Sequence, residues 1–392
     1  MVKLLEGLEQ ETLPHLWQMT SGGWPTLWTR LQLWSGRIFL MPEMSTPGKQ
    51  NVGYSFLALP DKRVAAEKSH VHLLTRTFWM RYLVTGGAGF IGSNIVDELV
   101  RRGQEVVVLD DLSSGNENNL AAVRGKINLR IGSITDLGAV QSACASVDFL
   151  IHLAARTSVP QSVVDPVESN HVNIDGTLNV LVAARDAKVK RFVFAASSSA
   201  YGESAKVPKT EAMPAAPISP YGVTKLAGEL YAQVFGRAYG LENTCLRYFN
   251  VFGPRQDPTS QYSGVLSRFM LAVIRNESPV IYGDGEQSRD FIYIANVVDM
   301  TLRACVASGS SGMVINGGTG ARISLNQVLA LLQKITGKKI QAEYDTPRAG
   351  DIKDSQADIS LAREVLGYQP VVDFEQGLKR TWDWYASTYQ KA

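Results

Sequence analysis

Tyr221 and Lys225 stand four apart in Ser219-Pro220-Tyr221-Gly222-Val223-Thr224-Lys225, a segment that reads as a helix start, so both side chains leave one face. A phenol titrates near ~10 unaided, and an ammonium held within several ångströms favours the phenolate by about 1–3 units. The pair can therefore supply a base near neutral pH. A cationic ligand bound beside it would push the same way. Tyr-x-x-x-Lys alone is a weak pattern, and its weight comes from what surrounds it.

The strongest neighbour is Gly86-Gly87-Ala88-Gly89-Phe90-Ile91-Gly92, which follows the apolar Tyr82-Leu83-Val84 and precedes the amphipathic Ser93–Val100. Strand, glycine turn and helix fall in the order a dinucleotide site requires. Gly86, Gly89 and Gly92 permit a tight turn, close approach to a pyrophosphate and packing of helix on sheet. Phe90 and Ile91 open the helix whose free N–H groups face the phosphates. A second strand, Glu105–Leu109, ends at Asp110, 24 residues after Gly86. Its carboxylate is placed to accept hydrogen bonds from the adenosine ribose and to repel a 2′-phosphate, so NAD is favoured over NADP.

The chain has 392 residues, 45% of them hydrophobic, and a net charge of +2, enough for one large domain or two smaller ones. Lys and Arg are scattered, which gives no footprint for nucleic acid. No apolar run approaches the ~18–20 residues of a membrane span. Three cysteines, Cys144, Cys245 and Cys305, lie in apolar contexts without metal-ligand spacing. They suit buried thiols in a reducing compartment, and the expected location is the cytoplasm. His70 and His72 lack partners at ligand spacing, so no metal site is expected. Residues 1–79 stand apart: five of the seven tryptophans fall there without a clean period or a signal-peptide core. The expectation is a disordered extension or a mis-assigned start, with Met80 as the biological beginning.

From Met80 the pattern is regular. Strand-like runs at 128–131, 149–153, 191–195 and 244–248 alternate with helical patterns such as 177–188 and 221–239. This predicts an α/β fold, a Rossmann-type doubly wound parallel sheet over residues 80–250. Beyond residue 250 Pro and Gly turns punctuate shorter elements. Residues 251–392 are therefore expected to form mainly a smaller α/β lobe that closes over the carboxyl ends of the strands.

These motifs, together with His152-Leu153-Ala154-Ala155, Ser197-Ser198-Ser199-Ala200-Tyr201-Gly202, Arg247–Gly253 and Ser288-Arg289-Asp290-Phe291, resemble the extended short-chain dehydrogenase/reductases. More narrowly they resemble the UDP-hexose 4-epimerases, from Met80 to the C-terminus. The resemblance implies a bound NAD+ that takes hydride from C4 of a UDP-sugar, a 4-keto sugar that turns over, and reduction on its other face. It implies Tyr221 as the base, Lys225 on the nicotinamide ribose, and Ser197 with Ser198 at O4. It further implies Ala154, Asn173 and Tyr248 along the NAD channel. Ser158, Asn250 and Val265 would contact the nucleotide sugar, and Arg289 with Arg348 and Asp351 would hold diphosphate and ribose. Two positions depart from the family. Gly132-Ser133-Ile134 replaces Gly-Asp-Ile, so Ser133 brings no carboxylate to adenine, and Thr157 stands where some epimerases carry lysine.

Ser355 matches the family's gate beside the sugar C2 substituent, where a tyrosine excludes an N-acetyl group and a small residue admits it. The resemblance thus implies UDP-GlcNAc/UDP-GalNAc interconversion, with UDP-glucose/UDP-galactose also accepted. A UDP-glucuronate 4-epimerase is an alternative. A 4,6-dehydratase or UDP-glucuronate decarboxylase is disfavoured, because Ser198 and Ser199 stand where those enzymes carry acidic residues. A reading of another class is a non-catalytic NAD-binding regulatory protein. In the family two helices pair with a partner's equivalents, which implies a homodimer through 177–188 and 226–239.

Overall fold

The computed structural model describes residues 79–204, 206–258, 264–347 and 353–390, and upstream of these two strands. Those two, Thr29–Trp34 (β1) and Arg37–Pro42 (β2), pair antiparallel with Trp34 opposite Arg37. The remaining residues before Trp79 lie outside the described ones, and with them most of the segment expected to be disordered or mis-assigned.

In the larger unit, apolar runs bounded by turn residues build the sheet. Arg81–Thr85 (β3), Glu105–Asp110 (β4), Ile127–Ile131 (β5), Phe149–His152 (β6), Arg191–Ser197 (β7) and Asn243–Tyr248 (β8) all pair in parallel. Between them run Phe90–Arg101 (α1), Leu137–Cys144 (α2), Val159–Val164 (α3), Pro166–Asn170 (α4), Gly176–Asp186 (α5) and Pro220–Tyr239 (α6). Successive strand residues face opposite sides. Leu83, Val107, Leu150 and Phe192 pack with α2, α5 and α6, while Val84, Val108, Ile151 and Val193 pack with α1 and the later chain. β3, β4, β6 and β7 are thereby buried on two faces, as their nearly unbroken apolar sequences require, whereas β5 lies at the sheet edge and stays partly exposed.

Past β8 come Asn250–Phe252 (β9), Val265–Ile274 (α7), Val280–Tyr282 (β10), Ser288–Arg289 (β11), Phe291–Tyr293 (β12) and Ile294–Val306 (α8). Met313–Gly317 (β13), Ile323–Ser324 (β14), Leu325–Thr336 (α9), Glu343–Asp345 (β15), Ser360–Leu366 (α10) and Phe374–Tyr389 (α11) complete the described chain. Three small pairings tie this part together: β9 with β12 and β10 with β15 in parallel, β11 with β14 antiparallel.

The boundary drawn at residue 250 does not confine the sheet. β13 returns to pair in parallel with β8, so the order is β13-β8-β7-β6-β3-β4-β5. α8 packs against α1, β7 and β8. The physical reason is exposure: without β13, the fully buried β8 would end the sheet with an open hydrogen-bonding edge.

β3 lies at the point where the chain order reverses, with β4 on one side and β6 on the other. Loops leaving the carboxyl ends of β3, β4, β6 and β7 meet at that crevice, where ligands bind in such sheets.

Candidate active site

The glycine turn after β3 is defined by close backbone approach. Gly86 has φ +69°, and a Cβ there would lie 2.7 Å from the Ala154 amide nitrogen. A Cβ on Gly92 would fall on the Gly86 carbonyl oxygen. The Gly86 N–H donates to Leu109 O at 2.8 Å and the Gly89 N–H to Gly86 O at 3.2 Å. α1 begins after Gly89 with no side chain capping it, whereas α2 and α6 are capped by Asp136 and Ser219. The amides at Phe90 and Ile91 are thus left for a ligand of negative charge. Asp110, at the end of β4, accepts from Ala88 N at 2.8 Å through Oδ2 and from Leu112 N at 2.9 Å through Oδ1. Burial raises its pKa against those two bonds. Each oxygen keeps a lone pair for a ribose hydroxyl while the carboxylate braces the turn. Cradle, uncapped helix and acid together fit a dinucleotide.

His152, which the sequence reading did not single out as a site residue, fixes where this turn starts. It is buried between Thr85 Oγ1, 2.7 Å from Nδ1, and Thr177 Oγ1, 2.9 Å from Nε2. Thr177 donates its own proton to Asn173 O at 2.6 Å, so Nε2–H donates to Thr177 and Thr85 donates to Nδ1. The ring is neutral, its pKa pushed down to about 3 by burial and by the Lys225 charge.

Other residues expected along the cofactor channel bond to the protein. Ser133 Oγ lies 2.9 Å from Thr135 Oγ1, and Ile134 is buried against Gly176. Asn173 accepts from Arg156 N at 2.8 Å and donates to Arg156 O and Thr224 Oγ1, both at 3.0 Å. The buried Tyr248 hydroxyl is 2.6 Å from Thr301 Oγ1.

α6 carries the reactive pair. Ser219 caps it by accepting from Gly222 N at 3.1 Å, Pro220 opens it, and Gly240 at φ +71° ends it. Lys225 is buried and donates from Nζ to Ala195 O at 2.8 Å; the ammonium lies 6.0 Å from the Tyr221 ring centroid. Ser197 ends β7 and accepts from Ser199 N at 3.2 Å and from Ser199 Oγ at 2.9 Å. Ser198 follows it, half-buried.

The phenol in the protein without cofactor is governed by its surroundings. The Tyr221 pKa is raised by burial, with a hydrogen bond from Ser197 opposing. Lys225 is itself pulled down to about 8 by burial, with the Glu229 charge pulling up. Burial is the larger of the two influences on the phenol in the protein alone.

On the other side, Ser158 caps α3, accepting from Gln161 N at 3.1 Å. Asn250 Nδ2 donates to Asp290 O at 3.2 Å, and Val265 opens α7. Arg289 Nη1 donates to Ser288 O at 3.0 Å and Lys353 O at 3.1 Å, and Ser355 N donates to Ser288 O at 3.0 Å. Arg289 and Ser355 are therefore neighbours; Arg348 and Asp351 lie outside the described residues. The sequence reading missed the clasp beneath them. Asp290 is fully buried and accepts from Thr319 N at 2.8 Å, Thr319 Oγ1 at 2.7 Å, and Gly320 N and Ala357 N at 3.0 Å each. Among the described residues no three His, Cys, Asp or Glu side chains gather as a metal site, and no helix is long and apolar enough to cross a membrane.

A strand, glycine turn and uncapped helix beside a Tyr-Lys pair at the carboxyl end of a parallel sheet define a Rossmann-type, NAD-dependent enzyme. The family model described as NAD dependent epimerase/dehydratase matches residues 82–318. A putative UDP-glucose 4-epimerase of Methanocaldococcus jannaschii is 40% identical over 303 residues, 77% of this chain and 97% of that protein. A UDP-N-acetylglucosamine 4-epimerase from Methanobrevibacter ruminantium, solved with UDP-N-acetylmuramic acid, superposes with TM-score 0.76 at 38% identity, covering 79% of this chain and 99% of the other. UDP-glucose 4-epimerase of Thermotoga maritima, solved with UDP-glucose, gives TM-score 0.75 at 41% identity over the same shares, 79% and 99%. The chain belongs to the NAD-dependent epimerase/dehydratase family.

Proposed function

We propose that this protein interconverts the C4 epimers of a UDP-sugar, with UDP-GlcNAc and UDP-GalNAc as the preferred pair and UDP-glucose and UDP-galactose also accepted. The cluster of Ser197, Tyr221 and Lys225 beside the dinucleotide cradle carries the reading. Bound NAD+ supplies a hydride acceptor and donor for C4. Tyr221 removes the O4 proton and later returns it, and Ser197, with Ser198 beside it, orients that hydroxyl. Burial alone keeps the phenol protonated, so ionisation depends on positive charge nearby: Lys225, cationic below about 8, and the nicotinamide. Arg289 supplies a planar fork for diphosphate oxygens, and Ser355 beside it leaves room for an N-acetyl group.

The test is to incubate the purified protein separately with UDP-GlcNAc, UDP-glucose and UDP-glucuronate and to resolve the C4 epimers. Tyr221→Phe should lower kcat by about 10²–10⁴-fold, and intact turnover would sink the reading. Turnover of UDP-glucuronate alone would move the assignment to that sugar. Retained NAD without turnover of any of the three would make this a non-catalytic NAD-binding protein. Ser355→Tyr should suppress the N-acetylated sugars at least tenfold while sparing UDP-glucose, a loss expected when a side chain fills the subsite. Equal losses would remove the gate.

We also read the protein as a cytoplasmic homodimer through 177–188 and 226–239. Leu230 and Val234 on α6 leave apolar surface exposed in a single chain, whereas the apolar side chains of 177–188 are buried or half-buried. Sedimentation as a monomer alone would count against it.

A further inference from the structure

Glu229 has no part in the chemistry above, yet it is 2% exposed in the middle of α6, one turn beyond Lys225. Arg247 on β8 grips it with Nε 2.9 Å from Oε1 and Nη2 2.7 Å from Oε2. The guanidinium stacks 4.6 Å from the Tyr201 ring centroid, and the Tyr201 hydroxyl donates to Asn316 Oδ1 at 2.7 Å. Arg247 Nη1 is buried without an acceptor. Stability is a poor reason for such a pair. Desolvating two charges cancels most of their attraction, and apolar side chains of similar volume serve as well or better.

Tyr221, Lys225 and Glu229 repeat every four residues and form a column along α6. Lys225 Nζ has the Ala195 carbonyl at 2.8 Å and the Phe194 ring centroid at 5.0 Å. Glu229 acts on it as a nearby charge, against burial that holds the ammonium at about 8. Of the other titratable groups near this column among the described residues, Glu211 acts on Tyr201 and Arg247, and burial raises its pKa. His152 from β6 is neutral; Cys245 from β8 is held protonated by burial and by Glu229; Tyr201, after β7, and Tyr221 are held as phenols by burial. Arg247 is cationic and turned onto Glu229.

We propose that Glu229, held in place by Arg247, is a positioning residue whose field keeps Lys225 charged through the working pH range without touching cofactor or substrate. The inference rests on the roles given to Tyr221 and Lys225. Loss of the carboxylate lets burial win, so the lysine proton leaves at lower pH and the phenol loses its cationic neighbour.

The experiment compares wild type with the double variant Glu229→Met, Arg247→Met, which exchanges the pair for apolar side chains. Its melting temperature and NAD content should stay close to wild type. The alkaline limb of its kcat–pH profile should move to lower pH by about one unit. NADH affinity, read by fluorescence titration across the same range, should weaken at correspondingly lower pH. Unmoved profiles in the folded double variant overturn the proposal. If that variant does not fold, the near-isosteric Glu229→Gln is put through the same two measurements: shifted profiles support the proposal and unmoved ones overturn it. An active Tyr221→Phe enzyme would refute the parent reading, whereas an inactive one beside an unmoved Glu229 profile would refute this inference alone.

Discussion

On the cofactor side of the cleft, Gly86, Ala88, Gly92 and Asp110 come from one short stretch of chain and meet Ala154 after β6. On the side proposed for the substrate, Asn250, Arg289 and Ser355 arrive from three distant segments, gathered by the β9–β12 and β11–β14 pairings and by Asp290. The first is shaped at Gly86 and Gly92 by backbone that touches backbone, so a methyl group added at either collides with main-chain atoms. The second depends on a buried carboxylate with four donors, so its weak point is a lost acceptor. Tolerance to mutation should differ accordingly.

The largest effect belongs to Gly92→Ala. The added Cβ meets the Gly86 carbonyl, which has no side-chain freedom with which to yield. NAD should be absent from the purified variant and stability lower by about 2–3 kcal/mol, read by cofactor absorbance and denaturant unfolding. Full NAD occupancy would break the contrast.

Next is Asp290→Asn, whose amide cannot accept from all four donors; stability should fall by about 1–3 kcal/mol. KM for the UDP-sugar should rise about tenfold, equivalent to ~1.4 kcal/mol, with NADH affinity unchanged. An equal loss in NADH affinity would show that the two sides are not independent.

The effect smallest near neutral pH is a pH dependence. His152 titrates at 6.5 when free and is held at about 3 when folded, so between those values only the unfolded chain binds the proton. Stability should therefore decline as pH falls below 6.5, by up to about 1.4 kcal/mol per unit from this group, and be unaffected above it. The difference in unfolding free energy between wild type and His152→Gln, measured at pH 7, 6 and 5, isolates that slope. A pH-independent difference would remove the buried imidazole as its source.

The sequence made the cofactor side readable because strand, turn, helix and acid are consecutive, and each residue type there answers a local demand. The six strands β3 to β8 and the helix with Tyr221 and Lys225 were legible for the same reason. β13 was not, since Met313-Val314-Ile315-Asn316-Gly317 is short and its partner is decided by tertiary pairing. Asp290 stands in the sequence only as a member of Ser288-Arg289-Asp290-Phe291, because a carboxylate that accepts from Thr319, Gly320 and Ala357 leaves no pattern in its neighbours. Glu229 looks there like one more helix charge. The direction of the phenol's pKa shift was hidden because burial has no signature in spacing.

The late arrival of β13 bears on biosynthesis. While the chain emerges, β8 offers a bare row of amide and carbonyl groups until residues 313–317 follow. A fragment stopped after β9 keeps every glycine of the cradle and both members of the Tyr-Lys pair, yet carries a sticky open flank. Such a fragment should aggregate rather than serve as a miniature NAD-binding module.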